Sequence, residues 1–199
     1  MRSAVLASLI LMLCATTAMA TTVTLTMDEV PLQPIHNLTV TKSGVGFTFT
    51  EPTNTLFYNS IGPGSITFVQ DPSIQGAPIR PFSVAFSQPV DFIQFGLVEL
   101  ASGALTGASV QLSNGTVIPL ALTLVDPFPE GQFTYSGTPV TGFSLTPAPG
   151  AVAMAFDNLT VNTVSVPEPA SLSFLIAGIF TVTALLHRQR NFLRVLRQS

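Results

Sequence analysis

Between residues 21 and 165 apolar side chains return at every second position, and that period restricts what the chain can become. Val23, Leu25 and Met27 alternate with threonines; Val45, Phe47 and Phe49 alternate with Gly46, Thr48 and Thr50; Phe82, Val84 and Phe86 alternate with Ser83, Ala85 and Ser87. Successive side chains of a strand point to opposite faces, so each run buries one face and wets the other. Ile118, Leu120, Leu122 and Leu124 mark one face of a further strand, and Val152, Met154 and Phe156 mark one face of the last. No stretch of this region keeps a helical period. Strands about every ten residues, separated by Gly, Pro and Asn, predict an all-β fold, an antiparallel two-sheet β-sandwich of jelly-roll-like kind.

Two segments add detail. Val90 to Leu100 is apolar on both faces, which predicts a central strand, or one with a bulge near Gly96. Ser113-Asn114-Gly115-Thr116 is the strongest turn signal, because Asn-Gly accepts the positive φ angles of a tight hairpin. Residues 107–113 and 116–125 are therefore expected to pair antiparallel. Fifteen phenylalanines and no tryptophan mean that phenyl rings supply the bulk of the core.

The ends of the 199-residue chain read differently. Met1 and Arg2 precede an apolar stretch from Ala4 to Ala15, and Ala18-Met19-Ala20 forms a small-x-small site before Thr21. This is the three-part pattern of a secretory signal peptide over residues 1–20, cleaved after Ala20. The one cysteine, Cys14, leaves with it, and Leu13 before it argues against a lipidated cysteine. The mature domain, residues 21–165, is then without disulfides or thiolates.

Residues 170–186 form a second apolar run with no charge, about 26 Å long as a helix, just enough to hold the chain in a membrane. Val166-Pro167-Glu168-Pro169 comes before it and His187-Arg188-Gln189-Arg190 after it. The prolines lack backbone donors and keep a helix from extending back into the domain, leaving an extended stretch open to a processing enzyme. Charge agrees with this orientation. Residues 21–165 hold nine acids against two bases, Lys42 and Arg80, a net of −7, whereas Arg2, Arg188, Arg190, Arg194 and Arg197 flank the apolar segments. Basic residues beside membrane segments stay cytoplasmic, so the acidic middle is the translocated part. It has no basic face with which to bind nucleic acid.

Val166-Pro167-Glu168-Pro169-Ala170-Ser171, an apolar helix and then arginines resemble the PEP-CTERM sorting signal of Gram-negative bacteria, over residues 166–199. The resemblance implies recognition of the Pro-Glu-Pro motif by an exosortase, a multi-pass membrane enzyme, after export by the secretion machinery. Arg188, Arg190, Arg194 and Arg197 would be the cytoplasmic basic anchor. It further implies a non-enzymatic envelope or extracellular-matrix protein of a biofilm, held at the inner membrane during sorting. In this chain the arginines are interleaved with Phe192, Leu193, Val195 and Leu196, the pattern of an interfacial amphipathic helix. A plain single-pass anchor is the alternative reading. Phe156-Asp157-Asn158-Leu159 resembles the last strand of the β-sandwiches found in PEP-CTERM proteins, and in related jelly rolls an Asp at this place serves a structural calcium, making Asp157 the candidate metal ligand.

Catalysis finds little support in the residues. His36 has no Gly-x-Ser-x-Gly elbow beside it and reads as a loop histidine. A glycosidase needs two facing carboxylates, for which Asp91, Glu99, Asp126 and Glu130 are the candidates, although acids scattered over an apolar sandwich mostly keep it soluble. Binding of extracellular polysaccharide is the alternative function, with Tyr58 and Tyr135 as the candidate stacking rings. For calcium, Asp28, Glu29 and Asp71 join Asp157 as oxygen donors with no motif spacing between them, and no other cofactor is expected. The three Asn-x-Thr sequons, at Asn37, Asn114 and Asn158, read as chance matches.

Overall fold

The computed structural model describes residues 20–164, apart from 63, 65, 102–106 and 126–127. The sorting motif, the apolar run 170–186, the arginine tail, Ala18 and Asp126 lie outside the described residues, and Ala20 is the first residue within them, exposed. Among the described residues no helix is long and apolar enough to cross a membrane.

The described chain is all β, with antiparallel pairing throughout. The strands are β1 (Thr22–Leu25), β2 (Gln33–Pro34), β3 (Leu38–Lys42), β4 (Val45–Thr50), β5 (Leu56–Ser60), β6 (Ser73–Gly76), β7 (Phe82–Ala101), β8 (Ala108–Leu112), β9 (Val117–Leu120), β10 (Thr123–Val125), β11 (Phe128–Thr146) and β12 (Ala151–Thr163). Strand β7 is central. Its first half lies between β4 and the end of β11, and its second half lies between β12 and the start of β11.

A straight β7 is excluded by the rings it carries. Phe82 and Phe95 are thirteen positions apart, about 43 Å if extended, yet both pack on Phe156, with centroids at 5.3 and 4.7 Å. The strand therefore doubles over, and its halves face each other across one core. The bend falls near Gln88-Pro89, beside the register breaks of β11 between Ser136, Val140 and Gly142. One half of the ladder runs β3-β4-β7-β11-β8-β9, and the other runs β2-β5-β6-β12-β7-β11, with β1 on β12 and β10 on β11. This arrangement is consistent with a β-sandwich.

Phe95 sits at the centre of the core, stacked on Phe133 at 4.9 Å and on Phe143 at 5.2 Å. Each fully buried phenylalanine contributes about 2–3 kcal/mol through burial, and Phe47, Phe49, Phe82, Phe95 and Phe156 are all fully buried.

Three local expectations are corrected. The Asn-Gly turn does join β8 to β9, but only Gly115 takes a positive φ (88°), and Thr116 accepts from Leu112 N at 2.8 Å across a three-residue loop. That is a type I turn closed by a left-handed residue. The run Ile118–Leu124 is not one strand: β9 pairs with β8 and β10 with β11, and Leu124 is 73% exposed. The chain changes partner at Ala121, whose carbonyl presses on Gly131 where a Cβ would come within 2.5 Å. Val152 does not share the face of Met154 and Phe156, because a register shift between Ala151 and Ala153 pushes it outward.

Candidate functional site

Among the described residues four carboxylates are buried, and each accepts from backbone N–H groups. Glu51 accepts from Thr53 N at 2.8 Å, from Thr55 N at 3.1 Å and from the Thr53 hydroxyl, fixing the turn after β4. Burial alone would raise its pKa, but these donors outweigh burial and lower it. Glu99 accepts from Ala148 N at 3.0 Å, and there burial prevails over the single donor, raising the pKa.

The other two hold a strap. Residues 66–72 cross the outer side of β12, β7 and β11. Glu130 accepts from the consecutive N–H groups of Thr67, Phe68 and Val69, and Asp157 Oδ2 accepts from Gln70 N at 3.0 Å. Asn158 Nδ2 donates to Phe68 O at 3.2 Å, and Asp71 closes the loop on itself by accepting from Gly62 N and Gly64 N. Gly96 is needed beneath the strap, since a Cβ there would lie 2.1 Å from Phe68 O. Val69, Val98 and Ala155 form a small second core between strap and sheet. Beside it opens a shallow apolar hollow of about 190 Å³, floored by Val98, Ala153 and Ala155 and walled by Leu100, Phe128 and Gln75.

Asp157 Oδ1 is buried without a hydrogen-bond partner. Burial pushes this carboxyl up to about 6, against the opposing pull of the Gln70 and Asn158 N–H groups. The donor set does not suit calcium, which takes six to eight oxygens. Both oxygens of Asp71 are occupied by glycine N–H groups. Those of Glu29 are taken by Lys42 at 2.7 Å, Thr26 N at 2.9 Å and the Tyr58 hydroxyl. Among the described residues no three acids, histidines or cysteines come together as a metal site.

The two tyrosines do not form a stacking platform. Tyr58 is fully buried, edge-on to Phe49 at 5.8 Å, and its hydroxyl donates to Glu29. Its pKa is raised by burial and by that carboxylate. Burial would raise Glu29 too, yet Lys42, Tyr58 and Thr26 outweigh it and hold the carboxyl at about 2. Tyr135 is half-buried, packed on the core, with its hydroxyl donating to Thr138 O at 2.7 Å. The Glu29–Tyr58 pair carries no sequence signal, since the residues are far apart and each has an ordinary neighbourhood.

Nor do Glu99 and Glu130 oppose each other. Glu130 stands across from Val98 on the outer face, whereas Glu99 stands across from Met154 on the core face. Asp91 lies at the bend of β7, distant in register from both. His36 is exposed, its Nδ1 2.6 Å from Glu51 O.

The two ends of the described domain are brought together. Thr21 N donates to Thr163 Oγ1 at 3.0 Å, Thr163 N donates to Thr21 O at 3.0 Å, and Val164 N donates to Pro89 O at 3.1 Å. Residues 166–169, where the sequence predicts a sorting motif, thus begin two positions beyond Val164, the last described residue.

No family model matches this chain, and no curated protein matches it. Among solved structures, a mutant CBM29-2 carbohydrate-binding module complexed with cellulohexaose aligns over 72% of this chain and 92% of its own, with 10% identity and a TM-score of 0.38. A likeness that distant does not bear on what this chain binds.

Proposed function

We propose that this is an exported, non-enzymatic envelope or extracellular-matrix protein, held in the membrane by residues 170–186 and processed at Val166-Pro167-Glu168-Pro169 by an exosortase. The observation that supports it is where the described ladder ends. The ladder closes at Thr163 and Val164, so a motif with two helix-blocking prolines follows directly on a finished domain. The buried carboxylates support the non-enzymatic part, since Glu51, Glu99 and Glu130 are engaged with backbone donors. Mass spectrometry of protein from its native host tests the reading. The expected mature chain begins at Thr21 and ends within or just before residues 166–169. A mature chain that keeps residues 172–199 overturns the processing and leaves a plain anchor.

A second reading, contact with a neutral extracellular polysaccharide, is favoured by one observation. The outer face of β3, β4, β7, β11 and β8 presents Thr39, Thr48, Ser83, Ser144 and Gln111 with no charge among them. Such a face can exchange hydrogen bonds with sugar hydroxyls but has no ring to stack on them, so weak retention on polysaccharide columns is expected. Absence of retention on a panel of neutral and acidic polysaccharides removes this reading.

A further inference from the structure

Both ends of the described domain leave from one place. Thr21 and Thr163 are bonded to each other, and Val164 is bonded to Pro89 in the bend of β7. Ser87, in the same bend, accepts from Gly46 N at 2.8 Å, bringing in the β3–β4 hairpin. Val90 stands opposite Val140, which brings in the bend of β11, and Thr138 there is 3.4 Å from Asn114 at the tip of the β8–β9 hairpin. Two bends, two hairpin tips and both ends of the described domain therefore share one end of the sandwich. Gln88, Ser113, Asn114, Thr116, Ser136 and Thr138 give it a hydroxyl- and amide-bearing surface, with the Lys42–Glu29 ion pair of the β3–β4 hairpin and Asp91 the charged groups adjoining it. Glu51, Glu99 and Glu130 lie at the opposite end, by the register of β4, β7 and β11.

We infer that this end is the surface the domain lays against the lipid headgroups of an anionic membrane while the chain is held there; the inference rests on the membrane-holding role proposed for residues 170–186. Two facts meet in it. A domain whose first and last residues are paired can be tethered through either end only with that end toward the membrane. A domain of net charge −7 can approach an anionic surface closely only through a face poor in carboxylates, because repulsion acts within a Debye length of about 8 Å. Hydroxyl and amide side chains can meanwhile exchange hydrogen bonds with headgroup phosphates.

The test uses the full chain with Cys14→Ser and a single new cysteine, either Thr138→Cys at this end or Val152→Cys at the other. About eleven strand positions, some 36 Å, separate Val152 from Thr163. Each variant carries a fluorophore and is reconstituted into vesicles of phosphatidylethanolamine and phosphatidylglycerol containing headgroup spin-labelled lipid. Quenching at position 138 is expected to exceed that at position 152 at least about threefold. Membrane-retained protein with equal or stronger quenching at 152 overturns this inference and leaves the membrane-holding role standing. Protein that alkaline carbonate strips from the vesicles overturns both. In a second measurement, Thr116→Glu with Thr138→Glu, labelled at Ser136→Cys, is expected to lose quenching in anionic vesicles and keep it in neutral ones. Equal quenching in the two overturns the charge argument.

Discussion

At the scale of single residues, Asp157 and Glu29 contribute opposite pH dependences to stability. Asp157 has its folded pKa raised to about 6 from an ordinary value of 3.8, so the folded state holds its proton more tightly. Stability attached to that proton is present at low pH and is lost as pH rises between about 4 and 6. Glu29 has the reverse shift, to about 2 from 4.5, and its contribution is present above 4.5 and lost as pH falls toward 2. Asp157→Asn keeps an acceptor for Gln70 N while removing the charge. It is expected to stabilise the protein by about 1–2 kcal/mol at pH 7 and to change little at pH 4. Urea denaturation at the two pH values checks this, and an equal effect at both would show that the proton is not the cause. Glu130→Ala strips the acceptor from three consecutive N–H groups and is expected to cost about 2–4 kcal/mol. Amide exchange at residues 67–69 should quicken selectively.

At the scale of elements, the strap and the folded strand each depend on one position. Gly96→Ala drives a methyl into Phe68 O, so the strap, residues 66–72, must lift. Limited proteolysis is expected to cut within the strap of that variant and to spare the rest of the ladder; resistance equal to wild type would mean that the sheet gives way instead. Phe95→Ala removes a ring that touches Phe133, Phe143 and Phe156 at once. A loss of about 3–5 kcal/mol in chemical denaturation is expected, and a loss below about 1 kcal/mol would contradict its central place. Legibility at this scale was uneven. The alternation at Val45–Phe49 and Phe82–Phe86 named buried faces correctly because it is a property of adjacent residues. The apparent strand Ile118–Leu124 was misread because its period continues through the point where the chain trades one partner strand for another.

At the scale of the molecule, the termini meet because β12, the last strand, lies inside the sheet between β7 and the pair β1 and β6. The ladder cannot close until residues 151–163 have arrived, directly ahead of the sorting motif we propose at residues 166–169. A Gly-Ser spacer of about ten residues after Val164 should leave thermal stability unchanged while loosening that proximity; processing in the native host, followed by mass spectrometry, measures whether the enzyme needs it.

The sequence by itself determined which faces of the strands are apolar, that the two ends are apolar segments flanked by basic residues, and that the middle is acidic. All of these are local or additive quantities. Only the tertiary structure decided that β7 doubles over, that Tyr58 is a buried partner of Glu29, and that Glu130 and Asp157 pin a strap. The physical reason is distance along the chain: the bonds from Val69 to Glu130 and from Gln70 to Asp157 join residues 61 and 87 positions apart. Whether a carboxylate faces water or a row of backbone N–H groups depends on which distant segment is laid over it, and no local pattern encodes that choice.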